Sequence, residues 1–138
     1  MNVFFDTNVL VYLFDADAPQ KQAIARERFE RHVREGRLCL STQVLQECYV
    51  TLTRKLAVPM PEPEAREVIA ALGEMRVTQA DVSVVLAAID LSRRYKLSFW
   101  DALIVESARR GGASVLLSED LQHGQDFDGI RVENPFLA

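Results

Sequence analysis

The sequence is poor in the residues that staple or metallate small domains. It holds two cysteines, Cys39 and Cys48, and two histidines, His32 and His123, in 138 residues. Both cysteines lie among apolar neighbours, which predicts a buried, reduced pair. The histidines stand far apart, so no zinc-ligand spacing exists and a Cys/His nucleophile is disfavoured. No apolar run approaches the ~20 residues that cross a bilayer. The first residues, Met1 to Phe5, carry no basic side chain and lead straight into Asp6, unlike a signal peptide. The expected location is cytoplasmic, without membrane contact. Positive charge is not in excess either: 16 basic against 20 acidic residues leave a net charge of −4. That argues against a general nucleic-acid coating protein, which would be basic. It leaves room for an enzyme that meets a phosphate through a bound cation.

What is present is an ordinary globular composition, 49% hydrophobic and 26% charged, expected to form one domain over residues 1–138. Short apolar strands alternate with helical stretches. Asn2–Phe5 reads as a strand, and Asn8–Phe14 begins a helix. Pro19–Glu35 is helical, with a sparse stripe of Ile24, Phe29 and Val33, and Gly36 ends it. Leu38–Leu40 is a strand, and Ser41 or Thr42 caps a helix to about Leu56. Pro59, Pro61 and Pro63 break the chain before a helix over Glu62–Glu74. Arg76–Thr78 is a short strand, Asp81 caps a helix over Val82–Tyr95, and Ser98 caps another over Phe99–Arg110. The pair Gly111-Gly112 stops it. Val115–Leu117 is a buried strand, 122–129 a polar loop, and Ile130–Val132 a last strand. Strands separated by helices imply an α/β fold, a three-layer α/β/α sandwich on a central, mostly parallel sheet.

Four carboxylates fall at positions that surface solvation does not readily explain. Asp6 follows Val3-Phe4-Phe5, at the carboxyl end of the first strand, where open α/β sheets bind ligands. It is equally placed to cap the next helix. Glu47 flanks the apolar stripe Leu45, Cys48, Tyr49, Leu52 and Leu56, in line with Val44 and Thr51; it is also an ordinary first solvated position. Asp101 shares a helix face with Ile104, Val105 and Ala108, so it points toward the sheet, although Ser98 to Asp101 also reads as a capping box. Asp120 lies just past Val115-Leu116-Leu117, with Ser118 and Glu119 as supporting or alternative ligands, or as parts of a capped turn. A parallel sheet brings all four to one edge. Clustered like charges raise one another's pKa unless a cation is present. Oxygen ligands without His or Cys suit Mg²⁺ or Mn²⁺, and phosphodiester hydrolysis is the chemistry that follows.

A strand ending in Asp also opens haloacid-dehalogenase-like phosphatases. Those carry a second Asp two residues on, where Asn8 stands here, and a late lysine, whereas the last lysine here is Lys96. A receiver-type phosphoacceptor module fails on the same missing lysine.

With these residues in place, the chain resembles the PIN-domain family, in particular the VapC-type toxins of bacterial toxin–antitoxin pairs. The resemblance rests on Phe5-Asp6-Thr7-Asn8-Val9-Leu10, Gln46-Glu47, Ser98-Phe99-Trp100-Asp101-Ala102-Leu103-Ile104 and Leu117-Ser118-Glu119-Asp120-Leu121, in that order along nearly the whole chain. It implies a Mg²⁺- or Mn²⁺-dependent endoribonuclease, a homodimer and a cognate antitoxin partner. Asp6, Glu47, Asp101 and Asp120 match the family's acidic positions; Thr7, Asn8 and Ser118 match polar positions beside them. A PIN-like scaffold without turnover, or a PIN nuclease of RNA processing, fits the same residues.

Other residues have plainer readings. Lys21, Arg26, Arg28, Arg31 and Arg34 are expected in a solvated ladder of i,i+4 ion pairs with Glu27, Glu30 and Glu35. Arg109 and Arg110 suit a helix C-terminus. Arg93, Arg94 and Lys96, close to Asp101, are candidate phosphate contacts or helix-end charges. Phe99 and Trp100 are expected to pack, although either aromatic would also stack a base, and His123 sits in a loop.

Overall fold

The structure is a computed structural model that describes residues 1–137. Its strands are β1 (Asn2–Phe5), β2 (Leu38–Ser41), β3 (Arg76–Thr78), β4 (Ala113–Leu117), β5 (Asp126–Phe127) and β6 (Ile130–Glu133). They form one sheet in the order β3-β2-β1-β4-β6-β5, parallel throughout except for the antiparallel pair β5 and β6. The helices are α1 (Thr7–Val11), α2 (Pro19–Arg34), α3 (Thr42–Arg54), α4 (Glu62–Leu72), α5 (Val82–Tyr95) and α6 (Phe99–Arg110). A 3₁₀ turn, Tyr12–Phe14, continues α1, so the expected single helix over Asn8–Phe14 is two tight pieces. Elsewhere the expected elements are present, with ends moved by one or two residues.

The sheet is covered on both faces. Val3, Phe4 and Phe5 are consecutive and all buried, as a strand with one wet face could not be. Phe5 meets Phe29 and His32 of α2 edge-on at ring distances of 6.0 and 6.1 Å. Phe4, alternating with it, faces the other layer. There α6 spreads over β2, β3, β4 and β6 and carries α5 on its back.

Three expectations change. The loop 122–129 contains β5, paired to β6 through Asp128-Gly129, both at positive φ (53° and 98°). That is the two-residue turn whose twist suits a hairpin, and Asp-Gly is its usual sequence. The face of α2 turned inward is Ala25, Phe29 and His32, while Ile24 and Val33 are each 37% exposed. The i,i+4 ion-pair ladder on α2 reduces, among the described residues, to Glu27 with Arg31. Three of its other cations reach off the helix: Arg26 donates to the Leu13 carbonyl, Arg28 pairs with Glu133, and Lys21 pairs with Glu119. Tertiary acceptors held in place by the fold displace fluctuating pairs on an exposed helix.

Candidate active site

From β1 the chain winds to one side through β2 and β3, then crosses back to place β4 on β1's other flank. The reversal between β1 and β4 is a topological switch point, and their carboxyl ends open a crevice there. Asp6 leaves β1 into it and Asp120 leaves β4. Glu47 enters from α3 and Asp101 from the first turn of α6. All four line a single cavity of about 380 Å³, shared with Thr7, Asn8, Gln43, Gln46, Val50, Thr51, Lys55, Trp100 and Ile104.

Local folding accounts for each position. Asp6 does both jobs open to it: Oδ1 accepts from the Thr7 amide at the start of α1, and Oδ2 accepts from the Ser118 hydroxyl at 2.8 Å. Ser118, fully buried, also accepts from the amides of Asp120 and Leu121. One hydroxyl thus ties the end of β1 to the turn after β4. Thr7 Oγ1 donates to Glu47 Oε1 at 2.8 Å, and Asn8 Nδ2 donates to Asp120 Oδ2 at 3.0 Å. The buried stripe of α3 is centred on Val44, Cys48 and Leu52, which turns Glu47's flank toward the crevice. At Asp101 only half of the expected capping box forms. Its amide donates to Ser98 Oγ at 3.1 Å, and its carboxylate has no hydrogen-bond partner among the described residues.

Burial pushes the Asp6 carboxyl up to about 6; like charges on Asp120 and Glu47 add to this, while the Ser118 and Thr7 bonds oppose it. Asp120 is also raised, by burial first and then by Glu119 and Asp101. No cation pairs with any of the four acids among the described residues. Nor do any three His, Cys, Asp or Glu side chains among the described residues close up tightly enough to grip an ion directly. The donor set still fits Mg²⁺, which keeps most of its water and takes one or two carboxylates rather than a dedicated cage. An oxygen-lined crevice with uncompensated negative charge meets that requirement.

The remaining expectations divide. Thr7, Asn8 and Ser118 stand beside the acids as anticipated. Glu119 does not: its carboxylate accepts from Tyr12 Oη at 2.8 Å and pairs with Lys21, outside the cavity, so it is no substitute for Asp120. Arg93, Arg94 and Lys96 do not line the cavity, and Arg94 pairs with Asp128 at 2.7 Å. The cation that does line it is Lys55, just past the end of α3. Sequence reasoning passed over Lys55, and over Gln43, whose buried Oε1 has no partner among the described residues. Gln43 is one turn before Glu47, a spacing that would have flagged it. Trp100, expected to pack, is 63% exposed.

The PIN domain family matches residues 3–125 of the chain. No curated protein matches it significantly. Among solved structures, a toxin–antitoxin complex from Klebsiella pneumoniae superposes with a TM-score of 0.73 at 19% identity, covering 98% of both chains. VapC20 of Mycobacterium tuberculosis, described as a sarcin–ricin loop cleaving toxin, gives 0.66 at 20% identity over 86% of this chain and 90% of that one. DNA-bound VapBC from Salmonella typhimurium gives 0.66 at 21% identity over 96% and 97%. At these identities the likeness is one of fold.

Proposed function

This chain belongs to the PIN domain family, and on that premise we propose that it is a Mg²⁺- or Mn²⁺-dependent endoribonuclease acting as the toxin of a toxin–antitoxin pair. The observation that carries the reading is the convergence of Asp6, Glu47, Asp101 and Asp120 on one cavity from four separate elements. One or two of these side chains would hold the ion directly, and the others would act through its bound water. When bound, it supplies Lewis acidity toward a phosphate oxygen and toward water. The protein's own part is orientation. Ser118 and the Thr7 amide fix both oxygens of Asp6, Thr7 Oγ1 fixes Glu47, and Asn8 fixes Asp120. Asp101 keeps its oxygens free for the ion or its water. Lys55 supplies a positive charge at the cavity wall, where the phosphate backbone of RNA would run.

The toxin reading takes its support from the fold of its neighbours, one of which is described as a toxin–antitoxin complex and another as a sarcin–ricin loop cleaving toxin. A protein antitoxin, a homodimer and a cytoplasmic site of action belong to the same proposal. No helix among the described residues is long and apolar enough to cross a membrane.

The test is cleavage of single-stranded and hairpin RNA by the antitoxin-free chain with Mg²⁺, with Mn²⁺ and with chelator. Cutting should require the metal. It should fall about a thousandfold in a folded Asp101→Asn protein, the several kcal/mol attributed to metal-assisted charge stabilisation. Wild-type protein that cuts no RNA under any of these conditions would instead be a binding domain that keeps the fold without turnover.

A further inference from the structure

Part of the cavity lining is not acidic. Beside the carboxylates, on the same helices as Glu47 and Asp101, the cavity is also lined by Trp100, Ile104, Val50 and Gln43. Trp100 is 63% exposed although it sits in the first turn of α6, next to Asp101. It touches Phe99 edge-on, with ring centroids 5.1 Å apart and planes at 77°. Val50 is exposed as well, at 43%. Exposing a large aromatic ring to water forfeits the burial that would stabilise it in a core. Local folding does not require Trp there, since the helix start is already capped by Ser98.

Gln43 supplies an independent observation. It is 6% exposed, its Nε2 donates to the Trp100 carbonyl at 3.3 Å, and its Oε1, itself buried, has no partner among the described residues. A carbonyl can only accept, so the amide nitrogen must face Trp100 and the oxygen is the atom left over. A buried acceptor without a donor is costly unless a ligand or water completes it.

We propose that Trp100 and Gln43 form a nucleobase subsite beside the acid cluster, in which an unpaired RNA base stacks on the indole and a turn of the Gln43 side chain out of its buried position lets Oε1 accept a hydrogen bond from the base. The proposal rests on the ribonuclease reading and adds how substrate is held. A flat aromatic face takes any base, and single-stranded RNA is recognised largely by such stacking. Base amino, imino and ribose hydroxyl groups are the donors that the amide oxygen lacks. A cavity of about 380 Å³ suits one splayed nucleotide rather than a duplex. With the base in this subsite, its phosphate lies toward the acids and Lys55.

Trp100 is the chain's single tryptophan, so its fluorescence reports on this subsite alone. The experiment titrates a full-length Asp6→Asn chain with a mixed-sequence ten-residue RNA, and with the same strand made abasic. The base-bearing strand should quench saturably and the abasic strand should not. In cleavage by the otherwise wild-type chain, Trp100→Ala should lower kcat/KM about tenfold or more, mainly through KM, with the melting temperature unchanged. Trp100→Phe should recover most of the loss, and Gln43→Leu should raise KM while keeping the quench. Equal quenching by both strands overturns the proposal. So does Trp100→Ala cleaving with wild-type KM, in which case the exposed indole serves a protein partner and the nuclease reading stands. If wild type cuts no RNA, the nuclease reading fails separately, and the quenching titration still decides whether bases stack on Trp100.

Discussion

Helix α6 has two ends, and each gathers acidic side chains under different terms. At its first turn Asp101 joins Asp6, Glu47 and Asp120 around a cavity in which no acid has a paired cation among the described residues. At its last turn Glu106, almost fully buried, accepts from Arg109 Nε at 3.3 Å and from Arg110 Nε at 2.8 Å. Asp128, beside it, takes Arg94 and the Tyr95 hydroxyl, both at 2.7 Å, and these hold its carboxyl below the usual range, Tyr95 foremost. Asp6 by contrast is pushed up to about 6. Both ends obey the helix dipole, acid at the start and base at the finish. The difference lies in compensation. A fold stabilises buried acids with fixed cations where they serve structure, and an uncompensated cluster points to a cation that arrives from outside.

The largest effect that would break this contrast is the pH dependence of the metal-free chain. An acid whose folded pKa is raised favours the folded state while it is protonated, and that contribution disappears as pH rises. Asp6 should therefore leave the chain about 3 kcal/mol less stable above pH ~6 than below pH ~4. Urea melts of wild type and Asp6→Asn at pH 4.5 and 7.5 would isolate it, because the variant should lack this step. Glu133 works in the opposite sense and at lower pH: its carboxyl is lowered, chiefly by its bond from Arg28, and that stability is lost as pH falls. If the two proteins showed the same pH profile, Asp6 would be compensated after all. Added Mg²⁺ or Mn²⁺ should raise the wild-type melting temperature more at pH 7.5 than at pH 4.5.

At the other end of α6, Glu106→Ala should cost about 2 kcal/mol, from two lost charge-assisted hydrogen bonds and the small cavity left behind. Cleavage by the protein that remains folded should be unchanged. A loss of activity without loss of stability would mean that the two ends of the helix are coupled. The smallest effect is expected from Arg94→Ala. Its ion pair with Asp128 is well exposed, so the melting temperature should move by no more than about 2 °C and KM for RNA should stay constant. A clear rise in KM would restore Arg94 as a phosphate contact.

Much of the cavity was legible along the chain, and the reasons it was legible are local. Asp6 and Asp120 stand next to runs of consecutive buried residues, which mark strand ends in a parallel sheet. Asp101 follows a capping serine and repeats with Ile104 and Ala108 at helical spacing. What stayed hidden depends on partners distant in sequence. Glu119 is removed from the site by Tyr12 and Lys21, about a hundred positions earlier. Lys55 replaces Arg93, Arg94 and Lys96 as the cation at the cavity because the end of α3, and not the end of α5, borders it. The strand β5 has two residues and one buried side chain, too little for an alternating pattern, although its Asp128-Gly129 turn was a usable signal.

Periodicity and capping act over a few residues, so the sequence by itself determined the order of strands and helices and delivered four acids to strand ends or helix flanks. Which of those charges would be neutralised was decided by tertiary structure alone. Whether an arginine reaches a carboxylate depends on the packing of α2, α5 and α6 around the sheet, and packing sets both the distance and the water left between them. The same packing buried Asp6 against Ser118, left the Asp101 carboxylate without a partner among the described residues and kept Trp100 exposed beside it.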